Sequence, residues 1–208
     1  MSFVARIPFG EILTFDFLYM DKPVEISDIR NITVSGRIAS GATTLAQHIA
    51  AHLGWEIMDG GKLFREFTKD HGFAAQRSDQ FDLDYEEKVK QLLKTEKHHI
   101  VQSHLAGFDA QDIEGVLKIL VVCEDAGVDK ADIRIDRLAN RDSFPVDQAK
   151  HEVFEREEQN LAKWRRMYAN NDPEWVYWNP KYYDLVVNTF THNQEESLKL
   201  VLDKLGVK

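Results

Sequence analysis

The chain has 208 residues, 43% of them hydrophobic and 29% charged, with a formal net charge of −9. That size and balance fit one globular α/β domain with a buried core, and the acidic surplus argues against a nucleic-acid binder. A lone cysteine, Cys123, excludes an internal disulfide and points to a reducing cytoplasm, and no run reaches the roughly 18 apolar residues that would cross a membrane.

Residues 1–30 read as an N-terminal β extension. Two stretches rich in aromatic and β-branched residues, 3–7 and 12–19, flank Pro8-Phe9-Gly10. The start carries early acids and lacks a basic segment followed by a continuous apolar one, so it does not read as a signal peptide. Extra packing on the core is the plainer role for this extension; a homodimer contact is the other.

A β-branched run at 32–35 then meets a loop with glycines at Gly36 and Gly41, followed by Thr43 and Thr44. Apolar residues at Leu45, Ile49, Ala50 and Leu53 keep helical spacing, and Gly54 ends that helix. Residues 55–58 read as a second strand, and a helix starts at Lys62 after Asp59-Gly60-Gly61. A mobile polar segment, 71–84, leads to a helix at about 85–97. Residues 100–102 form a third strand and 107–111 a loop. Residues 116–123 form a fourth strand, apolar throughout as in a strand buried on both faces. Residues 131–141 are helical, Pro145 breaks the chain, and 146–168 read as one long charged helix. A fifth strand at 183–189 and a helix at 195–205 close the chain.

Strands alternating with helices predict a three-layer α/β/α fold around a five-stranded parallel sheet, with ligands at the carboxyl ends of the strands. The glycine loop, Asp59, residues 102–104 and Cys123 fall at such ends.

The glycine loop follows the phosphate-binding pattern of Gly, four residues, Gly, Lys, then Ser or Thr, except that Ala42 stands in the lysine position. Its glycines let backbone N–H groups turn toward an anion, and the helix start adds a favourable dipole. Arg134, Arg137 and Arg141 share one helix face, and Arg156, Lys163, Arg165 and Arg166 form a second basic group beyond Pro145. Such an arrangement suits a lid, about 141–153, that closes on phosphates, for which arginine's bidentate fork is adapted. The plainer reading pairs these arginines with Asp136, Asp142, Glu152, Glu155 and Glu157 on solvated faces. His98, His99 and His104 surround the third strand without metal-ligand spacing. They read as a strand entrance and a pocket edge.

The order "ITVSGRIASGATTLAQHIAAHLGWEIMDGGKLFRE", "HLAG", "RIDRLANRD", "FEREEQNLAKWRRMY" and "YYDLVVNT" resembles the cytidylate kinase-like branch of the nucleoside monophosphate kinases, over about residues 32–189. The resemblance implies a kinase-like domain over 31–208, with an acceptor-binding segment at about 60–97. It implies transfer of a phosphoryl group from ATP, with Mg²⁺, to a nucleotide or similar small phosphorylated acceptor. Gly36, Arg37, Ser40, Gly41, Ala42, Thr43 and Thr44 would surround the ATP phosphates, with Thr43 on Mg²⁺. Asp59, Arg65 and His104 would face the acceptor, with Arg65 on its phosphate. Arg134, Arg137 and Arg156 would surround the transferring group. The chain departs from the family at Ala42, at Gln102-Ser103-His104, where an acid, a glycine and an arginine are usual, and at Gly60, where a serine is common. Those departures support the rival reading, a nucleotide-binding protein that keeps the fold with little or no catalysis.

Overall fold

The β-branched run ahead of the glycine loop becomes the central strand. In the computed structural model, which describes residues 22–61 and 78–207, β1 (Asn31–Gly36) is buried along its whole length. It pairs in parallel with β3 (His99–Gln102) on one side and β4 (Val116–Val122) on the other. A strand enclosed in this way is apolar at successive positions rather than alternating. β2 (Glu56–Asp59) lies outside β3. After β4 come a small antiparallel hairpin, β5 (Glu124–Asp125) and β6 (Val128–Asp129), and the other edge strand, β7 (Leu185–Asn188). The main sheet runs β2-β3-β1-β4-β7, with all four pairings parallel. Because β1 is flanked by strands that both come later in the chain through crossovers, a crevice opens beyond its carboxyl end.

Helices cover both faces. α1 (Ala42–Leu53) lays Leu45, Ala46, Ile49 and Leu53 on one face, against Ile32, Val34, Ile119 and Val121. The closing helix, α7 (Gln194–Leu205), joins the same layer through Val201. On the other face, α2 (Asp79–Thr95) and the one-turn α3 (Ala106–Asp109) pack Val89, Leu93 and Ala106 onto Val101 and Val116. The expected three-layer fold is therefore present.

Several boundaries differ from the sequence reading. α2 starts at Asp79, inside the segment expected to be mobile, because Ser78 caps it by accepting a bond from Phe81 N at 3.1 Å. Asp79 and Asp82 in its first turn favour the helix dipole. The expected loop at 107–111 contains α3, where Gly107 is needed: a Cβ there would lie 2.3 Å from the Tyr183 ring. The hairpin at β5–β6 had no counterpart in the periodicity. Its turn residues Ala126 and Gly127 both have positive φ (49° and 81°), as such tight turns require. After α4 (Ala131–Asp142), the expected single helix from 146 to 168 is split into α5 (Val146–His151), a π-helical turn (Glu152–Arg156) and α6 (Glu157–Tyr168).

Part of the N-terminal extension packs on the core. Val24, Ile26 and Ile29 rest on the α1 layer, and Val24 N donates to Leu53 O at 2.9 Å. The two stretches read as strands, 3–7 and 12–19, and the helix expected from Lys62 lie outside the described residues.

Asn31 joins three elements at the start of β1. Its fully buried amide donates to Leu93 O at 3.1 Å and Glu96 O at 2.9 Å, and accepts from His99 N at 3.0 Å. Asn31→Ala orphans those groups, so urea unfolding should show a loss of about 2–4 kcal/mol, more than one ordinary hydrogen bond contributes.

Between α2, α3 and α6 three acids are buried: Asp82, Glu86 and Asp109. Burial pushes the Asp109 carboxyl well above its ordinary value and also raises that of Glu86, which accepts a bond from Tyr168 Oη. A raised folded-state value means that the native state holds protons that the unfolded chain has released. Stability from these acids is therefore greatest below the ordinary carboxylate range and falls as pH rises through the raised values. Asp109→Asn should flatten that fall, as judged from urea midpoints measured from acid to neutral pH.

Candidate active site

Between β1 and α1 the chain turns within residues 37–41. A Cβ on Gly36 would lie 2.3 Å from Ser40 Oγ and 2.8 Å from Val121 O, so only glycine lets the loop fold this closely over β4. Gly41, with φ at 102°, adopts a backbone conformation that side chains resist, and it sits at the N-cap of α1. No side chain caps α1 and no acid occupies its first turn. Its leading N–H groups are therefore left to an external partner, and the dipole makes that partner an anion.

Thr43 Oγ1, in the first turn of α1, donates to Gln102 Oε1 at 3.3 Å. Gln102 ends β3 and thereby stands where a metal-organising acid would be expected. A hydroxyl and an amide oxygen fit Mg²⁺ as supplementary ligands, because that ion keeps waters and takes much of its coordination from phosphates. Among the described residues no group of at least three His, Cys, Asp or Glu side chains could hold a metal unaided.

The loop opens onto a cleft of about 1450 Å³. Gly36, Arg37, Ser40, Gly41, Ala42, Thr43 and Thr44 line its floor, with Asp59, Gln102 and His104 beside them. Arg137, Arg141, Arg156, Lys163 and Arg166 form a basic wall. Most of these cations have carboxylate partners. Arg141 bonds Asp142 at 2.8 Å, Arg156 pairs with Glu152, Lys163 meets Asp82 at 2.7 Å, and Arg166 meets Asp79 at 2.7 and 2.9 Å. Arg137 differs, since its partners are neutral: Thr189 Oγ1 at 2.8 Å, Thr189 O at 2.9 Å, Ser40 O at 3.4 Å and Cys123 Sγ at 3.5 Å.

Arg134 stands apart from the other two arginines expected around the transferring group. It is completely buried behind the loop and does not line the cleft. It donates to Asp129 through two bonds of 2.8 and 2.9 Å, to Glu157 Oε2 at 3.1 Å and to Ile38 O at 2.7 Å. Burial works against its charge, but the Asp129 and Glu157 carboxylates outweigh that cost and hold it protonated. The reason is geometric. Residues three apart on a helix diverge by about 60°, enough to send Arg134 under the loop while Arg137 faces the cleft. Arg37 pairs with Glu157 and with Asp129 at 3.2 Å, and its guanidinium lies 4.5 Å above the Trp178 ring. His104 Nδ1 lies 2.8 Å from Gly36 O and 3.2 Å from Tyr177 Oη, which ties the end of β1 to the aromatic cluster. Arg65 lies outside the described residues.

Sequence reasoning left Thr189 and Glu157 out of the site. Thr189 comes directly after the last strand, and the rule that ligands gather at strand carboxyl ends could have found it. Glu157 entered only as one of five acids expected to pair with the arginines on solvated faces; it does pair with Arg134, but as a buried residue.

A parallel sheet with this strand order, a glycine loop between its central strand and an uncapped helix, and a basic wall facing that loop define an α/β protein of the P-loop kinase type. No protein-family model matches the chain. It is 30% identical over 178 residues to the cytidylate kinase of Haloarcula marismortui, covering 82% of this chain and 86% of that protein. It is 31% identical over 165 residues to the cytidylate kinase of Natronomonas pharaonis, covering 76% and 80%. The chain belongs to the cytidylate kinase family. Among solved structures, an uncharacterized protein from Eubacterium ventriosum superposes with a TM-score of 0.60 at 14% identity, covering 86% of this chain and 99% of that one. A gluconokinase from Sinorhizobium meliloti does so at 0.52 and 13%, covering 88% and 94%. At those identities the likeness is one of fold. Among the described residues, no helix is long and apolar enough to cross a membrane.

Gly36→Ala tests the loop. The added methyl must push aside Ser40 or the β4 backbone, and a distortion of only about 1.4 kcal/mol weakens binding tenfold. Calorimetric titration should show nucleotide affinity reduced by at least that factor. An unchanged affinity would remove the loop from the ligand site.

Proposed function

We propose that the protein transfers the γ-phosphoryl group of ATP to a nucleoside monophosphate or a similar small phosphorylated acceptor in the cytoplasm. The observation that carries this reading is the uncapped start of α1 behind a glycine loop, facing a wall of arginines, in a chain of this family. The loop amides hold the donor phosphates. Thr43 Oγ1 and Gln102 Oε1 would hold Mg²⁺, which would supply neutralisation of the phosphate charge. Asp59 and His104, which line the cleft, orient the acceptor together with Arg65. An acceptor phosphate oxygen attacks the γ-phosphorus, the bond from that phosphorus to the β–γ bridging oxygen breaks, and ADP leaves with the electron pair.

Phosphoryl transfer depends on positioning and on charge stabilisation. With Ala42 in the lysine position, that charge comes from the basic wall. Arg137 and Arg156 supply it, with Arg141 beside them, as residues 141–153 close over the cleft. Arg137 is the best placed, because turning it toward a phosphate breaks contacts to neutral groups and no ion pair. Arg134 contributes through the loop backbone it holds.

The second reading, nucleotide binding with little turnover, rests on a pair of neutral residues. Ala42 removes the loop cation, and Gln102 replaces an acid beside Thr43. The experiment that separates the two readings is ADP release from ATP and magnesium with a panel of nucleoside monophosphates. On the kinase reading, Arg137→Ala lowers kcat by on the order of 10³ with the fold intact, and Ala42→Lys raises ATP affinity or turnover. A wild type that phosphorylates no monophosphate, together with an Ala42→Lys variant unchanged in binding and rate, establishes the second reading.

A further inference from the structure

Glu157 is 5% exposed at the start of α6, directly after the π-helical turn. Its Oε1 accepts from Arg37 Nε at 2.9 Å and also from Nη2 of the same guanidinium. Its Oε2 accepts from the backbone N–H of Ile38 at 3.1 Å and from Arg134 Nη1 at 3.1 Å. Arg134 Nη1 donates in turn to Ile38 O at 2.7 Å. Both backbone polar groups of Ile38 are thus held by one buried ion cluster, the N–H by Glu157 and the carbonyl by the arginine that Glu157 neutralises. Asp129, from the β5–β6 hairpin, closes the cluster on Arg37 and Arg134. The other limb of the loop is held independently, through Thr189 Oγ1 donating to Ser40 O at 2.6 Å.

This arrangement matters more here than in a loop that carries a lysine. With Ala42 in that place, the loop attracts phosphate mainly through the directions of its amides and the dipole of α1. Amides that already point at the ligand need no reorganisation when it arrives, whereas a floppy loop must be ordered at the expense of binding. We propose that Glu157 is a positioning residue that presets the phosphate loop for its anionic ligand, an inference that rests on the phosphate-binding part of the function proposed above. Glu157 touches no ligand itself. It acts through Ile38, Arg37 and Arg134, and it links the loop to α4, the helix that carries Arg137 and Arg141 into the cleft.

The test uses the full chain, ATP with magnesium as the probe, and two variants. Glu157→Gln keeps the shape but removes the charge between two guanidiniums. Glu157→Asp keeps the charge beside Arg134 but retracts it from Ile38 N by one methylene, and it covers the case in which the first variant fails to fold. ATP Kd, read by calorimetry without need of turnover, should rise at least about tenfold in each folded variant, which corresponds to about 1.4 kcal/mol of lost preorganisation. Amide exchange should quicken at residues 38–41 while the interior of β4 stays protected. A folded variant with wild-type Kd overturns the proposal. So does a raised Kd accompanied by faster exchange throughout the sheet, since the residue would then be merely structural. A wild type that binds ATP but transfers no phosphoryl group overturns the kinase reading alone, and the Kd comparison still decides the role of Glu157.

Discussion

The site depends on a close approach of backbone to backbone where β1 ends. Val121 O and Ser40 Oγ occupy the space that any side chain at position 36 would need. The parallel register that places Gly36 beside Val121 therefore fixes how sharply the loop can turn. Once the loop has turned, Gly41 takes its positive φ and α1 begins without a cap. The uncapped helix start arises from packing in the sheet rather than from any polar residue placed there for the purpose.

Electrostatics then decides what the cleft can do. The basic wall looks like a phosphate trap in sequence, but several of its cations are already engaged. Arg141, Arg156, Lys163 and Arg166 hold carboxylates, and a phosphate has to compete with Asp142, Glu152, Asp82 and Asp79 for them. The more exposed of these pairs contribute little to stability, so a phosphate can displace them at small energetic cost. Arg134 and Arg37 are different. They are shared between two acids in one cluster, in which Arg134 and Glu157 are buried and losing either strands the charge of the other away from water. A lysine-free loop thus combines cations that can be recruited with cations that only hold the scaffold.

The π-helical turn between α5 and α6 fits the same division. It lies where one helical stretch must face two ways, presenting Arg156 and Glu152 to the cleft and Glu157 to the buried cluster. An inserted turn of this kind rotates the residues downstream of it relative to a regular helix, and such turns recur at functional sites. Nothing in the residues 146–168 announces it, because hydrophobic periodicity cannot resolve a single widened turn.

The sequence by itself determined the parts governed by local rules. The β-branched run of β1, the glycines at 36 and 41, and the continuous apolar stretch of β4 reflect steric and burial demands that act within a few residues, and they made the parallel fold and the phosphate loop legible. Gly54 and the spacing of Leu45, Ile49 and Leu53 did the same for α1. What only the tertiary structure decided was which partner each polar side chain takes. Arg134 and Arg137 are the same residue type one helical turn apart, yet one is buried against Asp129 and Glu157 and the other faces the cleft beside Thr189. Asn31 becomes a three-way joint only because α2 ends and β3 begins next to it. Glu157 holds the loop 119 residues away from it in the chain. Such choices depend on where distant segments meet, and a charge or an amide carries no mark in the sequence of the partner it will find.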